Sequence, residues 1–298
     1  MTTSKPISIL FDAGHNEEVV LQEPELSSLC LLLEKNGMKT GSLDTLITLE
    51  ELIKFQVVVL GNPRESELKS KEIKALQSFV ESGGGLLLIS GATIFGKGGD
   101  AARLTNLNTL ATKFHFEFSE KAIGRQLKGD LSDAAAQDEM IMAVPAAQHP
   151  LVKGISQVLF TTSTSIKAED TATHLFRAAN SPGNPTNIIA TELDKGRILA
   201  MGGSTPFFNE YVGIHDHEVF IIQAFRWLAS HPVNDPIISL TPDTETSDVV
   251  TANEAIADLQ QQLNQIEQEL AGLKKVINTS LKEMEKIIRQ FQDEKNES

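Results

Sequence analysis

Short, continuous apolar runs alternate with helix-like segments along the first third of the chain, and this alternation limits the fold more than any other feature. The runs at 7–11, 55–60 and 86–89 have the length of strands, and each ends at small or polar residues. Runs that lack polar alternation are typical of strands covered on both faces, as in a parallel sheet. Helical segments at about 24–36 and 66–82 separate them. The spacing predicts right-handed βαβ units and an α/β fold with helices on both faces of a mostly parallel, flavodoxoid sheet.

The second of these helices has the clearest local signals. Ser66 predicts its N-cap, and Glu67 lies in its first turn, where a carboxylate offsets the helix dipole. The glycines at 83–85 predict its end. Its core-facing stripe comprises Ile73, Leu76, Phe79 and Val80.

The middle of the chain, residues 114–195, has short β-like pieces between turn-rich loops. We expect additional strands here, some of them antiparallel, that extend the sheet. Asp194-Lys195-Gly196 predicts a hairpin turn that leads into a last strand at 197–201. A closing helix follows at about 216–230. The α/β head domain is thus expected to occupy residues 1–231.

The composition restricts the function of the chain. Its 298 residues carry a net charge of −14, and no cluster of Lys and Arg offsets this charge. Such a surface repels phosphate groups, so we expect no binding to nucleic acid or anionic lipid. The single cysteine, Cys30, lies in an apolar run that predicts a buried helix face, and a single cysteine excludes an intramolecular disulfide. No apolar stretch approaches the roughly 18 residues of a membrane span, so we expect a cytoplasmic protein without membrane insertion.

The C-terminal fifth of the chain changes character twice. Residues 232–251 are rich in proline and threonine and are predicted to form an extended linker. Residues 252–296 keep one heptad register without a stutter, which predicts a coiled coil. Glu269 at position g is placed to pair with Lys274 at position e of a parallel partner. The predicted interface residues are Ile256, Leu259, Leu263, Ile266, Leu270, Leu273, Ile277, Met284, Ile287 and Phe291, with Ser280 as the one polar position.

Two alternatives to a two-stranded coil stay open. The first is an amphipathic helix that folds back on the head domain, although the linker and the narrow apolar stripe argue against it. The second concerns the C-terminal half, where Val276, Leu281 and Ile288 widen the apolar face. That half is compatible with a third strand, a bundle or a binding face for another protein.

Small and polar residues follow four of the predicted strands. Because ligands of open α/β sheets bind beyond the carboxyl ends of the strands, these residues predict a pocket. The alternative is ordinary turn chemistry, since loops use Gly, Ser and Asn for turns. The candidate pocket residues, including two histidines that precede the closing helix, are Asp12, His15, Asn62, Arg64, Ser90, Ser204, His215 and His217.

Three sequence patterns suggest catalysis, a metal or a cofactor, and each has a simpler interpretation. Ser90 lacks the G-x-S-x-G elbow of a nucleophile, although His215 or His217 would be candidates for its base. The cluster at 215–218 has metal-ligand residue types, but Asp216 as an N-cap is the simpler interpretation. The glycine-rich stretch at 96–100 lacks the spacing of a phosphate-binding loop. We therefore expect no enzyme activity, no metal and no cofactor.

Several blocks of sequence together resemble the GIFT domain. They are Ile-Leu-Phe-Asp-Ala-Gly-His-Asn-Glu (9–17), Gly-Asn-Pro-Arg-Glu (61–65), Phe-Val-Glu-Ser-Gly-Gly-Gly-Leu-Leu-Leu-Ile (79–89), Gly-Arg-Ile-Leu-Ala-Met-Gly-Gly-Ser-Thr-Pro-Phe-Phe-Asn-Glu-Tyr (196–211) and Phe-Arg-Trp-Leu (225–228). GIFT domains occur at the N-terminus of an intraflagellar-transport complex B core subunit and in auxiliary proteins of gliding-motility ABC transporters. The resemblance implies a class I glutamine-amidotransferase-like fold that has lost its catalytic triad, and a sugar-like ligand has been proposed for the domain. Ser90-Gly91 stands here where an amidotransferase needs a cysteine.

These observations predict a non-enzymatic scaffold or adaptor of a multiprotein assembly, similar to an intraflagellar-transport subunit. Its coiled coil would make it a homo- or hetero-oligomer or bind protein partners. Two alternatives remain at this point. One is an accessory protein of an ABC-type transport system that binds a carbohydrate or another small ligand, and the other is a degenerate amidotransferase-like hydrolase.

Overall fold

The computed structural model describes residues 6–15, 17–21, 24–61, 63, 67–91, 107–123, 140–230 and 237–240. All of them belong to Met1–Thr241, the first of the two units into which the chain divides. The predicted coiled coil at 252–296 and most of the predicted linker lie outside the described residues.

The described head domain contains both strands and helices. The strands are β1 (Ile7–Asp12), β2 (Met38–Leu43), β3 (Val57–Gly61), β4 (Gly85–Ile89), β5 (Phe116–Ile123), β6 (Ile141–Pro145), β7 (Val158–Phe160), β8 (Ser163–Ala168), β9 (Thr173–Ala178), β10 (Thr186–Leu193) and β11 (Gly196–Met201). The helices are α1 (Ser27–Lys35), α2 (Leu49–Leu52), α3 (Ser70–Glu81), α4 (Asn108–Ala111) and α5 (His217–Leu228). Short 3₁₀ turns occupy Pro24–Leu26, Thr112–Phe114, Pro150–Val152 and Thr205–Phe207.

Nine of these strands form one sheet, in the order β2-β1-β3-β4-β11-β10-β9-β6-β7. The first five are parallel to one another, and their order is that of the flavodoxin-like doubly wound sheet, with β11 as the fifth strand. The remaining pairs are antiparallel. The predicted α/β class and the antiparallel extension from the middle of the chain are confirmed. β5 and β8 form a separate antiparallel pair.

Both faces of the parallel part are covered, which explains why its strands lack polar alternation. Successive side chains of a strand point to opposite faces. Val57 and Val59 of β3 join one core, to which α1 and α5 contribute. Val58 and Leu60 join the other, to which α2, α3, α4 and the β5–β8 pair contribute.

Two helix predictions need correction. Helix α3 begins at Ser70, because the side chain of Glu72 accepts a 2.8 Å hydrogen bond from the backbone N–H of Lys69 and fixes the first turn there. The predicted start at Ser66 is wrong. In α1, Leu29, Leu32 and Leu33 are buried, whereas Cys30 is only half-buried because the helical period turns it from the core.

The turn between β10 and β11 has the predicted form. Leu193 pairs with Gly196, and only Asp194 and Lys195 connect the two strands. Asp194 has a φ of 53°, the left-handed conformation that such a turn requires. Within the described ranges, no helix combines the length and apolar character needed to cross a membrane.

Candidate functional site

The end of β1 lies where the strand order of the sheet reverses. β1 is flanked by β2 on one side and by β3 on the other, so the connections after β1 and β2 run in opposite directions. In doubly wound sheets this switch point opens a crevice beyond the carboxyl ends of the strands, and ligands bind there. The sequence-predicted residues Asp12 and His15 occupy this position.

The segment that follows β1 is hydrogen-bonded to the end of β3. The backbone N–H groups of Glu18 and Val19 both donate to the carbonyl oxygen of Gly61, at 2.9 Å each. Glu17 forms an isolated antiparallel bridge with Pro63. A Cβ atom on Gly61 would lie 2.6 Å from Cβ of Val19, so glycine is required for this approach. The chain itself therefore covers this part of the crevice.

A buried cluster of one histidine and three carboxyl groups lies beneath that segment. The Nδ1 atom of His15 is 2.6 Å from Oδ2 of Asp12, and its Nε2 atom is 3.4 Å from Oε2 of Glu72. The backbone N–H of His15 donates to Oε2 of Glu17 at 3.2 Å. All four residues are buried. The cluster joins β1, the loop after it and α3.

Glu72 is held in place by two backbone groups in addition to its contact with His15. Its Oε1 accepts a 3.1 Å hydrogen bond from the N–H of Ile47, and its Oε2 accepts the bond from Lys69 at the start of α3. The carboxylate therefore has a fixed position relative to the imidazole.

The contacts within the cluster shift the pKa values of His15, Asp12 and Glu17 in different directions. The hydrogen bond to Asp12 and the charges of Asp12, Glu72 and Glu17 outweigh burial and raise the pKa of His15 to about 9. Burial raises the pKa of Asp12, but the hydrogen bonds with His15 and Glu17 and the charge of His15 outweigh it, so this pKa lies below its ordinary value. Burial and the adjacent Asp12 carboxyl raise the pKa of Glu17 to about 9. At neutral pH the geometry thus favours a charged His15–Asp12 pair beside a neutral Glu17.

One oxygen of this cluster has no hydrogen-bond donor. The side chain of Glu17 is fully buried, and its Oε1 atom, 3.7 Å from Nδ1 of His15, has no hydrogen-bond partner among the described residues. One ligand-type atom each from Asp12, His15 and Glu17 can be chosen so that all three lie within 4.8 Å of one another. These three residues could together hold a metal ion.

Gly202 and Gly203, which follow β11, lie in close contact with the backbone of the segment from β7 to β8. The N–H of Thr164 donates to the carbonyl oxygen of Gly202 at 2.7 Å. A Cβ atom on Gly202 would lie 2.0 Å from the carbonyl oxygen of Thr164, and one on Gly203 would lie 2.6 Å from that of Thr162. The idea that these small residues leave room for a ligand is therefore wrong for Gly202 and Gly203, because the segment from β7 to β8 fills that space.

Ser90 and Ser204 follow the neighbouring strands β4 and β11, and both are buried. The backbone N–H of Ser90 donates to the carbonyl oxygen of Met201 at 2.9 Å, which continues the parallel ladder by one residue. The carbonyl oxygen of Ser204 accepts from the N–H of Phe207 in a 3₁₀ turn. Both serines thus lie where the chain leaves its strand, and their backbone groups take part in the hydrogen bonding of the fold.

His217 is a structural residue that connects α5 to β7. Its Nε2 atom accepts a 2.8 Å hydrogen bond from the N–H of Leu159, and its Nδ1–H donates to the carbonyl oxygen of Tyr211 at 2.7 Å. Burial lowers its pKa to about 4, so the ring is neutral. Both ring nitrogens are used, which leaves neither for a ligand, a metal ion or a serine hydroxyl.

The two residues before His217 also make hydrogen bonds within the head, to the segment that precedes β7. His215 is exposed, and its Nδ1 atom lies 3.1 Å from Nε2 of Gln157. Asp216 is the N-cap residue of α5, as predicted, but its side chain makes no capping hydrogen bond to the first turn of that helix. Its Oδ2 instead accepts from N–H and Oγ–H of Ser156, at 2.7 and 2.5 Å, and from N–H of Gln157 at 3.1 Å.

The eight predicted pocket residues are therefore distributed over different surroundings. Asp12 and His15 lie in one cluster, the two serines follow neighbouring strands, and the two histidines at 215 and 217 connect α5 to the segment before and within β7. Asn62 and Arg64 lie outside the described residues. Sequence reasoning missed Glu17 and Glu72. The run Asp12-x-x-His15-x-Glu17 after a strand was a usable signal for the first, whereas Glu72 is 57 residues away from His15 and had none.

Comparison with known proteins identifies the fold. No protein-family model and no curated protein matches this chain. Among solved structures, the mmIFT52 N-terminal domain matches with a TM-score of 0.62 and 19% identity, over 78% of this chain and 100% of that one. The head has the fold of that domain. The GIFT-domain resemblance is thus confirmed at the level of the fold.

Two bacterial structures share the same architecture. Cytoplasmic Protein STM1381 from Salmonella typhimurium LT2 matches with a TM-score of 0.54 and 13% identity, over 74% of this chain and 99% of that one. Cytoplasmic Protein STM3548 from Salmonella typhimurium matches with a TM-score of 0.50 and 14% identity, over 75% and 97%. At these identities the likeness concerns the fold alone.

Proposed function

We propose that this chain is a non-enzymatic assembly subunit in which a self-associating coiled coil at 252–296 joins two or more α/β head domains. The observation that carries the proposal is the match of the head to the whole mmIFT52 N-terminal domain, a domain of an intraflagellar-transport protein. The heptad segment follows the head along the chain, and sustained a and d apolar positions are the pattern by which helices associate in a coiled coil.

The contacts at the carboxyl edge of the sheet support the non-enzymatic part. A serine nucleophile needs an exposed hydroxyl and a histidine with a free ring nitrogen. Ser90 is 2% exposed, and His217 uses both nitrogens in backbone hydrogen bonds. His15 lies between Asp12 and Glu72. Of the two histidines that sequence order offers as a base, His217 is thus engaged in holding the fold, and His215 is exposed beside Gln157.

The heptad register supports the self-association part. Leucine and isoleucine fill nearly all of its first nine a and d positions, from Ile256 to Met284, which is the pattern of a parallel coiled coil. The single polar member, Ser280, weakens the packing locally without shifting the register. The pair Glu269–Lys274 favours parallel chains in register.

Substitutions at the a positions test the proposal. We expect Leu263→Lys combined with Leu270→Lys to reduce the molar mass of the full chain to that of a monomer. At each of these two a positions, the lysines of two neighbouring helices would have to be buried against each other in the interface of the coil. Size-exclusion chromatography with light scattering gives the mass directly.

The matched control places the same two charges on the outer face of the coil. Gln261→Lys combined with Gln268→Lys changes the f positions that lie two residues before Leu263 and Leu270, so we expect the oligomer to persist. Both variants should retain the thermal unfolding of the head. An unmodified chain that is already a monomer at tens of micromolar, or an outer-face variant that dissociates equally, would refute the self-association.

A further inference from the structure

Three atoms that can act as metal ligands, each from a different residue, converge at the end of β1. They are Oδ2 of Asp12, Nδ1 of His15 and Oε1 of Glu17, with Nδ1 at 2.6 Å from the first and 3.7 Å from the second oxygen. Each belongs to a buried side chain. In the absence of a metal ion, a proton on Nδ1 connects His15 to Asp12, and a cation that binds all three atoms would replace this proton.

Glu17 provides an independent sign of a missing partner. Its side chain is fully buried, its Oε2 accepts from the N–H of His15, and its Oε1 receives no hydrogen bond from the part of the chain that the structure describes. Buried oxygens without a donor are rare in native proteins, and a bound ion is one of the standard explanations. This Oε1 atom is the one that lies 3.7 Å from Nδ1 of His15.

Glu72 supplies the outer contact that metal-binding histidines typically have. Its Oε2 lies 3.4 Å from Nε2 of His15, and two backbone N–H groups fix the same carboxylate. A histidine that donates Nε2–H to a carboxylate keeps its Nδ1 lone pair for a metal. When a metal ion replaces the Nδ1 proton, this contact keeps the other proton on Nε2, which is the tautomer that coordination through Nδ1 requires.

We propose that Asp12, His15 and Glu17 bind one divalent transition-metal ion of the zinc class, with Glu72 as the residue that positions His15. One imidazole nitrogen with two carboxylate oxygens suits Zn²⁺, whereas Ca²⁺ and Mg²⁺ prefer oxygen ligands alone. Coordination at about 2.0–2.2 Å separates neighbouring ligand atoms to roughly 3.5 Å. The Asp12–His15 contact therefore has to open by less than about 1 Å.

The bound ion would connect three elements. Asp12 ends β1, Glu17 belongs to the segment that covers the end of β3, and Glu72 lies on α3. Because the ion binds the folded head and not the unfolded chain, it should raise the unfolding temperature. The inference does not depend on oligomerisation, so either proposal can fail without the other.

The test uses the untagged full chain after treatment with a chelator and dialysis. Isothermal titration with ZnCl₂ should give one ion per chain, and the same zinc should raise the melting temperature. CoCl₂ should give intensified visible absorption bands, the signature of a four- or five-coordinate site. MgCl₂ at the same concentration should give neither response.

Glu17→Gln keeps the size of the side chain and one oxygen, and we expect it to weaken zinc binding at least 10-fold. Glu72→Gln should weaken binding about 10–100-fold while the stoichiometry stays at one, as for other positioning residues. Glu210→Gln, an exposed carboxyl elsewhere in the head, is the matched control and should bind as the unmodified chain does.

Two results would overturn the proposal. The first is a zinc stoichiometry far below one for the unmodified chain, without cobalt bands. The second is an unchanged affinity in a folded Glu17→Gln variant. If that variant fails to fold, the cobalt spectrum of the unmodified chain decides the question alone.

Discussion

The imidazole of His217 accepts a 2.8 Å hydrogen bond through Nε2 from the backbone N–H of Leu159, and so attaches the start of α5 to the middle of β7. The opposite nitrogen donates to Tyr211. The ring is fully buried and has to stay neutral, since protonation of Nε2 would remove its acceptor.

Stability should therefore depend on the protonation of His217. Its pKa is about 4 in the folded head and 6.5 as the ordinary value, so between these values the unfolded chain binds a proton that the folded chain does not. The free energy of unfolding should fall as the pH decreases from 6.5 to 4, by up to about 3 kcal/mol from this residue. Urea unfolding of the unmodified chain and of His217→Gln should show a stability difference that is largest at pH 7 and shrinks toward pH 4.

The exposed His115 provides the control for that experiment. Its φ is 63°, which asparagine tolerates, so His115→Asn should fold normally. The stability difference for His115→Asn should stay within about 0.5 kcal/mol over the same pH range. A pH dependence as large as that of His217→Gln would contradict the role of the buried ring.

Substitution of Gly202 should be severely destabilising. A Cβ atom there would lie 2.0 Å from the carbonyl oxygen of Thr164, and neither backbone can move without breaking the hydrogen bond between these residues. We expect Gly202→Ala to cost about 3 kcal/mol or more in thermal or urea unfolding. Gly213→Ala has open space around its Cβ and should stay within about 0.5 kcal/mol of the unmodified chain. Equal stability of both variants would refute the close packing at this edge.

Asp216 should act on the segment before β7 and not on the helix that it precedes. Asp216→Ala removes the acceptor of three hydrogen bonds from Ser156 and Gln157, and we expect a loss of about 2 kcal/mol. Amide hydrogen exchange should accelerate at Ser156 and Gln157. Ser156→Ala removes one of the three bonds and should cost less. Faster exchange confined to the first turn of α5 would instead restore the capping role.

Ser90 should not react with a fluorophosphonate probe. Its side chain is buried, and His217 uses both ring nitrogens elsewhere. Mass spectrometry of the peptide that contains Ser90 should find no adduct on the native chain, under conditions that label a serine hydrolase fully. Stoichiometric labelling that disappears after heat denaturation would show an activated serine and favour the hydrolase alternative.

The sequence was informative where a local pattern determines the structure. β3 was predicted because its unbroken valines fit a strand that is covered on both faces. β2 was missed because it lies at the edge of the sheet, and only Met38 and Leu43 of it are buried. An edge strand made mostly of polar residues has no periodic signal that distinguishes it from a loop.

Only the residues of the cluster that follow β1 were predictable from the sequence. Asp12 and His15 were found because the residues after β1 must lie at the carboxyl edge of the sheet. Glu72 reaches them through the packing of α3, which no local pattern reveals. Gly202 follows the last predicted strand, but no local pattern reveals that the carbonyl oxygen of Thr164 lies against it.

The central claim concerns assembly through the C-terminal heptads, and sedimentation equilibrium of the unmodified full chain tests it most directly. The chain has a mass of 32.5 kDa. Between about 5 and 50 µM, we expect an integral multiple of that mass, at least twofold and independent of concentration. A mass that stays at 32.5 kDa over the whole range would contradict the account.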